Sequence, residues 1–273
     1  MNEPAAQPPP GPARPGQAHP EPAHSAAGPL WSVEPGRTLF VGPLVYNAPH
    51  QHGAAVYLSS LGGAFGLGLS GRWIACEAAM IPAGRVHELR LDGEPVMVLY
   101  AEPGAGGAEL LASLVSQGED HDGVLVGRSS TRLLARELHE RADGPRFAAA
   151  ALDGLLAFAG ERSRRTICAR VAAAARALDR AEHVPGVEHL ARAANLSPSR
   201  LQHLFKQEIG VSLRRYRTWS RMRRAIAEIV AGANFTTAAH AAGFADQPHF
   251  ARDFRATFGA PASVSLTRPR SGG

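Results

Sequence analysis

The sequence predicts a multidomain protein: an N-terminal all-β barrel followed by helices, then an all-α C-terminal domain with two helix-turn-helix units in tandem. Three observations predict it. Between about Leu39 and Tyr100, short apolar or alternating runs are punctuated by Gly and Pro, the pattern of strands joined by tight turns. Residues 187–205 and 236–254 each read as a short helix, a turn and a second helix with a polar outer face. The charge is also divided. Residues 1–160 carry 10 Arg against 16 acids, a net −6, whereas residues 161–273 carry 18 Arg and one Lys against 8 acids, a net +11. The cationic half is the one with the helix-turn-helix units, where it can neutralise phosphates.

At 273 residues and 45% hydrophobic content, the chain can bury a core in each of two domains. Nine of the first 29 residues are Pro, and nearly all the rest are Ala, Gly or polar, so a disordered tail is expected over 1–29. The expected division continues with the barrel over 30–105, a helical linker or dimerisation region over 106–165, a DNA-binding domain over 166–268 and a short tail over 269–273. Cys76 and Cys168 form no CxxC or zinc-knuckle spacing, which fits a reduced, intracellular protein. No apolar run approaches the roughly 20 residues that cross a bilayer, and the N-terminus lacks a signal pattern. The expectation is a cytoplasmic protein with no membrane partner.

In the barrel region the strand candidates are Leu39–Val41, Val56–Leu58, Phe65–Leu69, Trp73–Cys76, Ala79–Ile81 and Val96–Tyr100. Such regular short strands predict a small antiparallel barrel or jelly roll. His50-Gln51-His52, followed about 30 residues on by Pro82-Ala83-Gly84-Arg85-Val86-His87, resembles the two signature segments of the cupin family. The second segment keeps that family's P-x-G-x-x-H spacing. The first lacks the Glu expected four or five residues after its second His, where Val56 and Tyr57 stand. His50, His52 and His87 are therefore the candidate ligand-binding residues. Three converging imidazoles suit a divalent Zn, Fe, Cu or Ni ion; the same residues serve as the lining of a metal-free small-molecule pocket, and this is the preferred reading. No cofactor is required, and a divalent metal is the alternative.

From 106 to 160 the pattern turns helical: Leu110, Leu111, Leu114 and Val115, then Leu133, Leu134 and Leu138, then Leu152, Leu155 and Leu156 recur at helix spacing. Their apolar faces either pack back on the barrel or pair with a second chain, and a homodimer surface is the favoured expectation.

The C-terminal pattern is read residue by residue. In the first unit Val187, Leu190, Ala191 and Ala194 form the buried stripe, Ser197 caps the next helix, and Pro198 stands in its first turn. Leu201, Leu204 and Phe205 face inward, leaving Ser199, Arg200, Gln202 and His203 outward as DNA contacts. A long helix from Leu213 to Ala231 follows, with Leu213, Tyr216, Trp219, Met222, Ala225, Ile226 and Ile229 as its core face. Arg214, Arg215, Arg217, Arg221, Arg223 and Arg224 lie on its remaining surface, Arg214 and Arg215 being the phosphate-contact candidates. In the second unit Asp246 caps a helix with Phe250, Phe254 and Phe258 inward and Gln247, His249 and Arg252 outward as DNA contacts.

The register Leu190-Ala191, Ser197, Leu201, Phe205, Gly210, Tyr216, Arg221, Ala225, Gly243-Phe244, Asp246-Gln247, Phe250, Phe254, Phe258-Gly259 resembles the AraC/XylS family of transcription regulators. The resemblance covers about residues 170–268. It implies seven helices, two helix-turn-helix units reading adjacent major grooves of double-stranded DNA, and a preceding cupin-like domain that senses a small-molecule effector or mediates dimerisation. RNA polymerase and a second copy of the chain are the further partners it implies. Three departures stand out: Ala238-Ala239 where a bulkier aliphatic is usual, Pro248 where a polar residue is frequent, and Pro261-Ala262-Ser263-Val264-Ser265 in place of the closing Pro-x-x-Tyr-Arg. The reading is a DNA-binding regulator and not an enzyme. The alternative is a metal-dependent cupin enzyme carrying a DNA-binding tail, with the metal on His50, His52 and His87.

Overall fold

A computed structural model of the chain describes residues 28–141, 143–160, 167–180, 184–267 and 269. The tails expected over 1–29 and 269–273 fall almost wholly outside these residues.

The N-terminal domain holds eleven described strands: β1 Leu30–Glu34, β2 Arg37–Pro43, β3 Tyr46–His50, β4 Ala55–Ser60, β5 Phe65–Leu69, β6 Arg72–Cys76, β7 Ala78–Ile81, β8 His87–Arg90, β9 Pro95–Ala101, β10 Val115–His121 and β11 Val124–Ser129. They form two antiparallel sheets, β1-β2-β9-β4-β7-β11-β10 and β3-β8-β5-β6. Side-chain alternation along each strand assigns the two faces. Val56, Leu58, Val98 and Tyr100 of the larger sheet meet Phe65, Leu67, Leu69 and Leu89 of the smaller one inside the barrel. Their neighbours Ala55, Tyr57, Met97 and Leu99 point the opposite way, under helices.

Those helices are α1 Gly107–Ala112, α2 Arg132–Glu140 and α3 Gly144–Gly160. Leu110, Leu111, Leu138 and Leu152 bury against the outer face of the larger sheet. Much of the apolar surface expected at a dimer contact is thus buried within the chain, because a sheet with Tyr57, Met97 and Leu99 on its outer face needs a cover, while Leu133 stays exposed. A second expectation also changes. Leu114 and Val115 do not continue a helix: β10 and β11 form a hairpin whose β11 pairs with β7. Its turn residues Asp122 and Gly123 both have positive φ, 55° and 82°, the requirement of a two-residue primed turn. The Asp-Gly pair was the sequence signal for it.

The C-terminal domain contains α4 Ala169–Arg180, α5 Val187–Ala193, α6 Pro198–Ile209, α7 Leu213–Val230, α8 Phe235–Ala241, α9 Gln247–Phe258 and α10 Ala262–Leu266. The helices α6, α7 and α9 each begin with a side-chain cap. Ser197 Oγ accepts from Arg200 N (3.2 Å), Ser212 Oγ from Arg215 N (3.2 Å) and Asp246 Oδ1 from His249 N (2.7 Å). Asn234 Oδ1 accepts from Thr237 N (2.9 Å) at the start of α8. Pro198 and Pro248 stand in first turns, where the missing N–H leaves no hydrogen bond unmade. Gly210 and Gly259 end α6 and α9 in the left-handed conformation. The hydrophobic core runs without a break from the barrel interior into this domain.

Candidate DNA interface and its junction with the barrel

In the first unit Ser199, Arg200, Gln202 and His203 on α6 are all exposed, while Leu201 and Phe205 are buried. In the second, Gln247 and Arg252 on α9 are exposed. His249 is half-buried. Its ring stands edge-on to Phe244 (centroids 5.4 Å apart) and its Nε2 lies 3.5 Å from Asp253. Gln247 Oε1 accepts from Thr236 Oγ1 (2.9 Å), which holds that side chain at the mouth of the unit. Two polar helix faces are therefore presented, the first fuller than the second.

Between them runs α7, 18 residues and about 27 Å long at the α-helical rise. Arg214 and Arg215 are exposed at its start and, with Arg217 and Arg221, line a cleft of about 680 Å³ beside His249, Asp253 and the barrel residues Gln51 and Gly53. Burial, then the charge of Arg221, pulls the Arg217 guanidinium below its usual pKa, and Glu188 opposes the shift. A cleft walled by mutually repelling cations favours an anion.

Arg223 departs from the surface position expected of it. It is 5% exposed, with Nε 3.2 Å from a Glu102 carboxylate oxygen and donating to Thr38 Oγ1 (2.8 Å). Asp179 Oδ1 lies 3.6 Å from its Nη1. Glu102, fully buried just after β9, also accepts from Tyr216 OH (2.7 Å) and Trp219 Nε1 (2.8 Å). The helix therefore has two buried faces, one on its own domain and one on the barrel. A single-helix pattern cannot separate the second from solvent.

The barrel brings its three candidate histidines together. His50, His52 and His87 are 2–4% exposed, and their ring centroids lie 4.2 to 5.1 Å apart. Tyr100, Trp219 and Phe258 pack on His52, so the rings close on one another beneath an aromatic cover. His50 Nδ1 lies 2.8 Å from Ala48 O, and His87 Nδ1 lies 3.0 Å from Arg85 O. A carbonyl only accepts, so both Nδ1 atoms carry the proton and both Nε2 atoms keep a lone pair. His87 Nε2 and His52 Nδ1 are buried without a hydrogen-bond partner. Burial lowers His50 to about 4 and His87 to about 3, and it lowers His52 well below the usual value with the help of the other two rings. All three are neutral donors at neutral pH.

One ring nitrogen from each lies within 4.8 Å of the others. Three rings bound to one ion at about 2.1 Å would have centroids about 4.5 to 5.2 Å apart; the separations of 4.8 and 5.1 Å lie in that range, and the His50–His87 pair, at 4.2 Å, is closer. The set contains no carboxylate, in keeping with Val56 and Tyr57 at the cupin Glu positions. Nitrogen donors alone suit Zn, Fe, Cu or Ni and not Mg or Ca.

Residues 190–268 match a family profile described as a helix-turn-helix domain. The C-terminal region therefore contains a helix-turn-helix domain. No curated protein matches the chain in sequence. Among solved structures, the chain is similar to unsaturated-fatty-acid-bound ToxT from Vibrio cholerae strain SCE256. That match has a TM-score of 0.56 at 12% identity and covers 87% of this chain and 97% of that one. ToxT from Vibrio cholerae O395 gives 0.54 at 12% identity, covering 86% and 98%. The same O395 protein bound to (E)-4-(8-methylnaphthalen-1-yl)but-3-enoic acid gives 0.56 at 12%, covering 85% and 99%. The whole chain therefore shares a fold in which a sheet-rich N-terminal domain precedes a helix-turn-helix domain. No described helix is long and apolar enough to cross a membrane.

Proposed function

We propose that this protein is a sequence-specific regulator of transcription whose α6 and α9 enter adjacent major grooves of one DNA site, with its grip set by what the barrel holds. The observation that carries the reading is the pair of capped helices presenting Ser199, Arg200, Gln202 and His203, and Gln247 and Arg252, to solvent on either side of α7. Successive major grooves on one face of B-DNA lie roughly 34 Å apart, a spacing that a helix of this length can bridge. Ser199, Arg200, Gln202 and His203 are the base-edge candidates of the first unit. Gln247, His249 and Arg252 are those of the second, with His249 partly withdrawn. Arg214 and Arg215 neutralise phosphates at the mouth of the basic cleft.

The effector reading places an ion or small ligand at His50, His52 and His87. Small-molecule control of this fold is supported by the ToxT structures, which carry organic acids. The aromatic cover over the three histidines leaves them without the open approach that a metal-dependent oxygenase gives its substrate, which favours regulation over catalysis. Selection from a random DNA library, at a stated salt near physiological, tests the proposal. Enrichment of a motif with two half-elements about one helical turn apart supports two-groove reading. Salt-sensitive retention of all sequences alike, with and without added ligand, would overturn sequence-specific recognition.

A further inference from the structure

Two glutamines stand among the outward residues of the recognition helices, and their surroundings differ. Gln202 on α6 is exposed and makes no side-chain hydrogen bond among the described residues. Gln247, the first residue of α9, is also exposed, but its Oε1 accepts from Thr236 Oγ1 (2.9 Å). Both ends of that bond sit on capped helix starts. Thr236 follows the Asn234 cap of α8, and Gln247 follows the Asp246 cap of α9. Phe235 stacks on Phe250 with ring centroids 6.2 Å apart, and Phe244 stands edge-on to Phe250 at 5.6 Å, which fixes α8 against α9.

We infer that the Thr236 hydroxyl determines the base preference of the second unit: by holding the Gln247 carbonyl oxygen, it makes that side chain a donor that selects guanine. The inference deepens the two-groove reading and rests on it. A free amide offers one oxygen and two N–H groups, the set that pairs with adenine N6 and N7 together. Here Oε1 is turned toward α8, and a second donor arriving at it competes with the bond already made. Donation into the carbonyl also polarises the amide, which strengthens its N–H groups as donors. The groove edge of guanine carries two acceptors, O6 and N7, and no donor, whereas adenine N6–H₂ would stand against an N–H. The first residues of a recognition helix are the ones that reach base edges, and Gln247 is the first of α9.

The rest of α9 points the same way. Arg252 is exposed and has donors only, which also suit guanine O6 and N7. His249 has its nitrogens engaged within the protein: Ala245 N–H donates to Nδ1 (3.4 Å), and Nε2 lies 3.5 Å from Asp253. Pro248 brings no polar side chain. The outward side chains of α9 thus meet the groove with donors, while Gln202 on α6 keeps both its oxygen and its nitrogen for adenine. Thr236 acts through Gln247 and is a positioning residue.

The test is library selection in two rounds with the full chain, at a stated salt near physiological. The first round finds the motif; the second holds the first half-element fixed and randomises the other. Gln247→Ala identifies the base pair that Gln247 faces, as the position whose preference it erases. In the unmodified chain that position should favour G·C over A·T by at least about fivefold. Thr236→Val, which keeps the side-chain shape and removes its donor, should move the preference toward A·T, and Thr236→Ser should restore G·C. An A·T pair there in the unmodified chain, or the same preference in Thr236→Val, overturns the inference. So does a Gln247→Ala variant that weakens all sequences alike, since the amide would then touch the backbone alone. The unmodified chain decides the base even where Thr236→Val fails to fold. A first round that enriches no motif sinks the regulator reading and this inference with it; a motif with A·T at the Gln247 position sinks the inference alone.

Discussion

Glu102 shows how one residue joins the two domains. A carboxylate with no exposed surface is tolerable only when donors and an opposite charge surround it. Glu102 has Tyr216 OH, Trp219 Nε1 and the Arg223 guanidinium, all from α7. Replacing Glu102 with Ala leaves Arg223 with Asp179 as its remaining carboxylate and strands the Trp219 indole N–H, while Tyr216 OH keeps Asp179 Oδ1 (2.9 Å). Denaturant unfolding should show a loss of about 3–5 kcal/mol, the usual cost of removing one partner from a buried pair. A loss below about 1 kcal/mol would mean that water enters and replaces the carboxylate. On the DNA side, residues of like polarity separate by role. Gln202→Ala should weaken binding to a selected site far more than to random DNA, whereas replacing Arg214 and Arg215 together should weaken both equally. The double arginine variant should also flatten the salt dependence by about 1–2 units of slope, one phosphate contact being worth about 0.9. An unchanged slope would place both guanidinia off the backbone.

At the scale of elements, the end of α9 carries both the second unit's geometry and the barrel contact. Gly259 has φ +73°, and a Cβ there would stand 2.3 Å from Ala48 O and 2.7 Å from His50 Nδ1. Gly232, past the end of α7, has φ +103° with no atom within 4 Å of a Cβ. Gly232→Ala should therefore cost only left-handed strain, about 1–2 kcal/mol, while Gly259→Ala should cost clearly more because β3 must also move. Equal losses in parallel unfolding measurements would show the α9–β3 contact to be soft. The helices and their caps were legible because capping and apolar spacing are local: Ser197, Ser212 and Asp246 do what their positions suggest. Strands with apolar alternation were legible for the same reason. The hairpin of β10 and β11 was not, since Ser116–Asp120 is polar and exposed, and only its Asp122-Gly123 turn marks it. At the candidate site, motif spacing named the three histidines, but two of the residues that cover them, Trp219 and Phe258, come from about 130 to 210 positions further along the chain. Arg223 was read as surface because periodicity within one helix counts only one buried face.

The molecule as a whole is divided in sequence but continuous in packing. The ring of Trp219 lies 4.9 Å from Tyr100 and 6.0 Å from Phe258, and Phe258 in turn lies 6.2 Å from Trp31 of the first strand. Trp31 Nε1 donates to Ser265 O (2.8 Å), which ties the barrel's first strand to α10. This arrangement makes α7 a structural part of the barrel's closure as well as the spacer between the two recognition helices. Separating the domains would expose Trp219, Tyr216 and Phe258 and strip Arg223 of its partner. Each is costly alone, and all would be incurred in one event. The full chain should therefore unfold in denaturant as one cooperative transition, with tryptophan fluorescence and far-ultraviolet circular dichroism tracing the same curve. Two separated transitions, with Trp219 emission shifting in the first, would mean that the domains part before either melts, and that the aromatic junction contributes less than its burial implies.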